Sequence, residues 1–86
     1  MEDDYEVIVL RRLGSLRKMD ALLGQHDVKA VELTAEDSGG LRAYVYDECA
    51  PLPLVILLQP EANKEGQELR VSFLKSLTHH LHRRVE

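Results

Sequence analysis

The residues best suited to chemistry lie near the C-terminus, in residues 78–84. His79 and His82 are three positions apart and share one helix face, and Glu86 follows four residues later. Two imidazoles and a carboxylate are possible ligands for zinc or another transition metal. A closed zinc site needs four ligands, however, and the sequence contains no second ligand motif. We therefore interpret the segment as a solvated, partly cationic helix end and expect no metal or other cofactor. His79 and His82 are weak candidate metal ligands. His80 lies closer to the apolar side of the helix.

A second cluster consists of four cations, Arg11, Arg12, Arg17 and Lys18, placed where a strand ends and a helix begins. Free N–H groups at a helix start, with positive charge beside them, favour an anion. These four residues are therefore candidate anion-binding residues for a phosphate or a nucleic-acid backbone. The spacing lacks the glycines of a P-loop and of a dinucleotide fingerprint. Arg17 and Lys18 also fit an ordinary solvated helix surface.

A nucleic-acid-linked role is the alternative function that these charges suggest. In one form the basic cluster contacts phosphates; in the other, scattered carboxylates imitate a nucleic-acid backbone and inhibit a nucleic-acid-binding protein. The net charge of −4 argues against binding driven by bulk charge. Solubility and the protection of sheet edges explain the carboxylates more simply.

The sequence contains no recognisable catalytic motif. Cys49 is the single cysteine and has no histidine near it in sequence, so it lacks the base that a nucleophile needs. No Gly-x-Ser-x-Gly and no Cys-x-x-Cys pattern occurs. A chain of 86 residues also has little room for a catalytic cleft. We predict that the protein is not an enzyme.

Composition indicates one folded domain spanning residues 1–86. The hydrophobic fraction of 44% is ample for a core. One cysteine fits a reducing compartment, and the acidic start at Met1 is unlike a secretory leader. The longest apolar run is far below the ~20 residues that cross a bilayer. We expect a cytoplasmic protein that begins at its initiator Met and does not enter a membrane.

Periodicity and turn residues predict six elements in the order β-α-β-β-β-α. The strands are predicted over residues 5–13, 28–36, 41–48 and 54–59, and the helices over residues 15–23 and 68–85. Ser15 is the expected N-cap of the first helix, and Gly24 its C-terminal stop. The predicted fold class is α+β, a small α/β sandwich in which a four-stranded mixed sheet packs with two helices.

The second and third strands are predicted to form a hairpin around residues 37–40. A turn of two or four residues places Leu33 opposite Tyr44 and Val31 opposite Tyr46, with these side chains on one face. If the first strand and the second were parallel neighbours, the helix between them would make a right-handed crossover.

Two apolar runs carry the functional hypothesis: residues 7–10 and residues 54–58. Neither run alternates with polar residues, so both predict central strands that are covered on two faces. If both helices lie on one face, the other face is bare, and a second copy of the chain is the simplest cover. If one helix lies on each face, the first is too short to cover its side.

The predicted function is a small, non-enzymatic protein–protein interaction module, a regulator or adaptor, that self-associates as a homodimer through an apolar sheet face. The candidate partner-binding residues are Val7, Val9, Val55 and Leu57. Periodicity leaves open the opposite set, which comprises Ile8, Leu10, Leu54, Ile56 and Leu58. Each such side chain buried by a partner contributes about 1.5–3 kcal/mol, so three or four decide whether a free monomer persists.

Overall fold

The computed structural model describes residues 6–82, the side chain of His82 excepted. It confirms the predicted α+β class and the β-α-β-β-β-α order. The elements are β1 (Glu6–Leu10), α1 (Leu16–Leu23), β2 (Val28–Ala35), β3 (Leu41–Asp47), β4 (Leu54–Leu58) and α2 (Lys64–His82). A 3₁₀ turn, Leu13–Ser15, leads directly into α1.

The four strands form one mixed sheet in the order β1-β4-β3-β2. β1 is parallel to β4, whereas β3 is antiparallel to both of its neighbours, β4 and β2. The prediction that both apolar runs are central strands is therefore wrong for β1, which lies at an edge, and right for β4. β1 and β2 are at opposite edges, so the condition for a crossover between neighbours is not met.

Both helices pack on the same face of the sheet, which makes a two-layer sandwich. Met19 and Leu23 of α1 join Leu69 and Phe73 of α2 in one buried cluster. The sheet contributes Leu10, Val28, Ala43, Val45, Leu54, Ile56 and Leu58 to that cluster. Because all of these strand residues point to one side, the opposite face of the sheet receives no helix, as in the first of the two packings considered from the sequence.

The hairpin register differs from the prediction by one residue. Leu33 lies opposite Ala43 and Val31 opposite Val45, so Tyr44 and Tyr46 point to the other face. The cause is the length of the turn, because residues 36–40 form a five-residue connection, and an odd number reverses the faces of the returning strand. Two glycines permit this turn.

Gly39 has φ of 95°, and a Cβ on Gly40 would lie 2.2 Å from the carbonyl oxygen of Leu58. A side chain at either position is therefore disfavoured, by backbone conformation at the first and by close approach of β4 at the second.

The N-terminus of each helix departs from the prediction. Ser15 is already in helical conformation and makes no side-chain cap, because the preceding 3₁₀ turn bonds its N–H to the Arg12 carbonyl at 3.0 Å. α2 begins one turn earlier than predicted. Asn63 caps it, since its Oδ1 accepts the N–H of Gly66 at 2.9 Å.

Gly66 lies in the first turn of α2 although it has the low helix propensity of any glycine. A Cβ at this position would be 1.8 Å from the carbonyl oxygen of Glu61. The loop before α2 therefore folds back so closely on the helix that only glycine fits. A glycine in a sequence usually indicates a loop. Here the close approach explains why a glycine occupies a position inside a helix.

We predict that Gly66→Ala lowers the free energy of unfolding by about 1–3 kcal/mol, the usual cost of forcing atoms into a filled space. The normal gain of about 1 kcal/mol from alanine in a helix is too small to offset the clash. Gly14→Ala is the matched control, because no atom lies within 4 Å of its Cβ position. Urea unfolding followed by far-UV circular dichroism measures both. Equal stability of the two variants would contradict the close approach.

Candidate functional site

The open face of the sheet, opposite the helices, carries an apolar strip on β1 and β4. Its members are Val7, Val9, Val55 and Leu57, and the register pairs Val7 with Val55 and Val9 with Leu57. Val7 is 50% exposed and Val9 40%, whereas Val55, in the middle of the sheet, is 7% exposed. The residues of the alternative set face the helices. We call this strip, together with Tyr44 and Tyr46 beside it, the open-face patch.

The tyrosines extend the open-face patch across β3. Tyr44 lies directly opposite Val55, and both tyrosines are half-buried. Tyr46 donates a hydrogen bond from its hydroxyl to Glu32 Oε1 at 2.9 Å. The ring bodies thus add apolar area to the strip, while the hydroxyls mark the polar border of the patch.

Charge on the open face is balanced locally. Arg42, opposite Leu57, makes an ion pair from Nε to Glu36 Oε2 at 3.1 Å. It also lies 3.5 Å from the hydroxyl of Tyr44. The hydrogen bond to Tyr44 first, and then the negative charge of Glu36, hold the pKa of Arg42 above its ordinary value. Within residues 6–82, the open face therefore has no cationic stripe for phosphates.

The four candidate anion-binding cations do not converge on a single pocket. Arg11 and Arg12 line a small cleft together with Glu61 and Glu65. The cleft holds about 10 Å³, the space of a single water molecule, so a phosphate does not fit inside it. The N–H of Leu13 donates to Glu65 Oε2 at 3.4 Å, which gives this end of the 3₁₀ turn an acceptor from the chain itself. Arg17 and Lys18 are exposed on α1 and do not line the cleft.

The histidines of α2 are divided between surface and core. His79 is exposed, and its ring packs edge-on against His80 with centroids 5.3 Å apart. The side chain of His82, the other candidate metal ligand, lies outside the described residues, as does Glu86. His80 is only 5% exposed, so its predicted position beside the apolar stripe is confirmed.

His80 belongs to a polar contact between the helices that the sequence did not indicate. Its Nε2 donates to Asp20 Oδ1 at 3.1 Å, and the Ser76 hydroxyl donates to the same oxygen. The carboxylate therefore stands between the imidazole and the hydroxyl, whereas in a Ser-His-Asp triad the imidazole stands in the middle. The geometry fits a bond between α1 and α2 and does not activate Ser76.

A second missed contact connects the end of α1 to the end of β3. His26 Nδ1 donates to Asp47 Oδ2 at 2.6 Å, and the backbone N–H of Cys49 donates to Asp47 Oδ1 at 2.8 Å. These bonds, first the one from Cys49 and then the one from His26, hold the pKa of Asp47 below its ordinary value of 3.8. Asp47 thereby fixes the turn that leads out of β3.

No motif could have revealed either polar contact. Asp20 and His80 are 60 residues apart, and His26 and Asp47 are 21 residues apart. Their pairing depends on how the helices and strands cross, which residue spacing along the chain does not encode. Within residues 6–82, no three His, Cys, Asp or Glu side chains lie close enough together to hold a metal ion. In the same range, no helix is both long and apolar enough to cross a membrane.

Comparison with protein-family models, with curated proteins and with solved structures gives no match to this chain. Among the described residues, the open-face patch is therefore the feature that best indicates a function, since Arg11, Arg12, Arg17 and Lys18 do not converge on one pocket.

We predict that Asp47→Asn destabilises the protein by about 1–2 kcal/mol near neutral pH, the usual worth of hydrogen bonds to a charged group at a partly exposed site. Because the folded pKa of Asp47 is depressed, its contribution is present above the unfolded value of 3.8 and is lost as the pH falls through the folded value. Urea unfolding between pH 7 and pH 2, from neutral conditions to about two units below the ordinary carboxyl pKa, should bring the two stability curves together at the acidic end.

Asp37→Asn is the control for this prediction, because Asp37 is exposed in the β2–β3 turn. Its stability should stay within about 0.5 kcal/mol of wild type at every pH. A constant difference between wild type and Asp47→Asn down to the lowest pH would show that the charge of Asp47 has no part in the effect.

Proposed function

We propose that this chain is a small, non-enzymatic protein–protein interaction module, a regulator or adaptor, and that a second copy of the chain covers its open-face patch. The observation that carries the proposal is the one-sided packing of the helices. It leaves Val7 and Val9 exposed beside Val55 and Leu57. The single exposed cysteine, Cys49, supports action in the reducing environment of the cytoplasm.

The chemistry of the open-face patch favours a second copy over a nucleic acid or a strongly charged protein. Arg42 forms an ion pair with Glu36, and the Glu32 carboxylate accepts the hydroxyl of Tyr46, so these polar groups already have partners within the chain. An apolar strip with balanced polar groups beside it is complementary to itself under a two-fold rotation. Two such sheets stack about 10 Å apart and interdigitate the inward-facing side chains.

The size of the face predicts a contact of limited strength. Four strands about 4.8 Å apart and about five residues long give a flat outline of about 300–400 Å². A standard interface buries about 800 Å² of each partner. Even with the added relief of the side chains, the face lies at the small end of stable interfaces. We therefore expect association that responds to protein concentration.

Leu57→Asp tests the proposal at the centre of the patch. The sheet tolerates the new carboxylate because Arg42 lies directly opposite Leu57, whereas a Val55→Asp change at a 7% exposed position would also threaten the fold. Leu57 is already partly buried in the single chain, so each copy loses less than the full value of a buried leucine, but each also places a carboxylate in the contact. The dissociation constant should therefore rise at least about 10-fold, or about 1.4 kcal/mol. Sedimentation equilibrium should show the assembly mass reduced by half at equal concentration.

Leu74→Asp is the matched control, because Leu74 is 37% exposed on α2, in the layer opposite the open face. A second matched pair is Val7→Asp and Val71→Asp, whose original side chains are 50% and 52% exposed. The α2 variants should keep the wild-type mass. A wild-type mass of 9.8 kDa at several hundred micromolar, about the upper range of weak association, would overturn the proposal, as would Leu57→Asp retaining the wild-type mass.

A further inference from the structure

β1 presents an unprotected edge of the sheet. Its sequence, Glu-Val-Ile-Val-Leu, has no proline and no charge after Glu6, and it pairs with β4 in register without a bulge. Within residues 6–82, no other strand pairs with β1. Natural proteins normally protect such edges with charges, prolines or bulges, because a regular apolar edge pairs with another strand.

The other edge of the sheet has the protection that β1 lacks. β2 contains Lys29 and Glu32, and its pairing with β3 is irregular between Val28 and Ala30. A bulge twists an edge away from a flat partner, and charged side chains oppose docking. One edge of the sheet, β2, is thus protected against pairing, and the other edge, β1, is not. This difference identifies β1 as the edge open to pairing.

The backbone of β1 shows which groups face outward. The Leu10 carbonyl accepts the N–H of Gln59 at 2.9 Å, so the backbone groups of Leu10 point toward β4. N–H and C=O groups of successive strand residues point to opposite edges. The groups of Ile8 therefore also face β4, and those of Val7 and Val9 face outward. Two donors and two acceptors are presented along an apolar edge.

We propose that two copies of this chain join through β1, antiparallel, with a two-fold axis beside Ile8. In this register Val7 lies opposite the partner copy's Val9, and each of these pairs exchanges two N–H···O bonds, the hydrogen-bonded arrangement of an antiparallel ladder. Every outward-facing group of Val7 and Val9 is satisfied. The two sheets become one continuous sheet, and the two open-face patches become neighbours on one surface.

Charge at the ends of β1 favours a second copy in this direction. β1 begins at the acidic Glu6 and is followed directly by the basic Arg11 and Arg12. Antiparallel pairing places the acidic end of one copy beside the basic end of the other, whereas parallel pairing would place like charges together. Opposite charges across a pair of strands stabilise it, and like charges destabilise it.

This edge contact is separate from the stacking of open faces proposed above. A face contact alone gives two chains, and an edge contact alone also gives two chains. Both together give four chains, with perpendicular two-fold axes. The wild-type mass expected at high concentration is therefore four times the chain mass of 9.8 kDa.

Val9→Pro tests the edge contact. Proline removes an outward N–H and places its ring in the path of the partner strand, while the bonds of β1 to β4 do not use that N–H; proline is accepted at edges of this kind. Because Val9 also belongs to the open-face patch, the variant must stay apolar there, and the proline ring does. Val9→Ile is the matched control, since it keeps the N–H, the β-branched shape and an apolar side chain in the patch. Val7→Pro repeats the test at the other outward residue, in case one proline unfolds the chain. Far-UV circular dichroism verifies the fold of each variant.

Sedimentation equilibrium of Val9→Pro, Leu57→Asp and the double variant then separates the two contacts. The expected masses are two chains for each single variant, one chain for the double variant and four for Val9→Ile. A wild type of two chains that Val9→Pro leaves intact, and that Leu57→Asp splits, would overturn the edge contact alone. A wild type of two chains that Val9→Pro splits, and that Leu57→Asp leaves intact, would overturn the face contact alone.

The dependence of association on salt provides a second test. A purely structural effect of proline would not change this dependence. The Leu57→Asp assembly is joined by the edge contact with its charged ends, so it should dissociate further between 0.05 and 0.5 M salt, roughly the range over which screening shortens from above 10 Å to a few ångström. The Val9→Pro assembly is joined by apolar stacking and should be unchanged or tighter. The opposite pattern would overturn the charge pairing of the β1 ends.

Discussion

The packing of both helices against one face of β4 is the constraint on which the rest of the structure depends. In β4, Leu54, Ile56 and Leu58 lie under the helices in the buried cluster, while Val55 and Leu57 point the other way. A strand that is apolar on both sides requires cover on both, but the two α-helices within residues 6–82 both lie on one face. The chain thus completes one layer of packing and leaves the second incomplete.

The length of one turn decides which side chains border the uncovered layer. With five residues between β2 and β3, Tyr44 and Tyr46 share a face with Val55, whereas an even count would have placed them under the helices. That length depends on glycine at two points, since Gly39 has a left-handed backbone and Gly40 lies against β4. A local property of the backbone therefore determines the composition of a distant surface.

The sequence predicted the elements well because their signals are local. The helical spacing of Leu69, Phe73 and Leu77 and the apolar run of β4 each read directly onto the structure. The order of strands in the sheet could not be predicted, because residues 7–10 and 54–58 are equally apolar and nothing local distinguishes an edge from a centre. For the same reason, the sequence did not show which residues of each run face away from the helices, because the odd-numbered and the even-numbered positions are both apolar.

The predictions of where α2 begins and of the hairpin register were wrong for a different reason. Each involves a close approach of two backbone segments: Gly66 lies against the carbonyl of Glu61 in the preceding loop, and Gly40 lies against that of Leu58 in β4. A glycine in sequence reports conformational freedom and indicates a turn, but it also serves where two backbones meet. Only the packed structure tells these roles apart.

The polar groups described above are largely used to tie the chain to itself. Asp20 joins α1 to α2 through His80, Asp47 fixes the end of β3, and Glu65 accepts from the N–H of Leu13. Charges committed to internal bonds contribute little to recognition of an outside ligand, so the apolar patch on the sheet is the most prominent outward-facing feature. Folding and association are then linked, because a partner that covers Val7 and Val9 binds only the folded chain and raises its stability by mass action. Because a domain of this size buries only about 60% of its unfolded surface by itself, cover of this patch by the proposed second copy would add substantially to its stability.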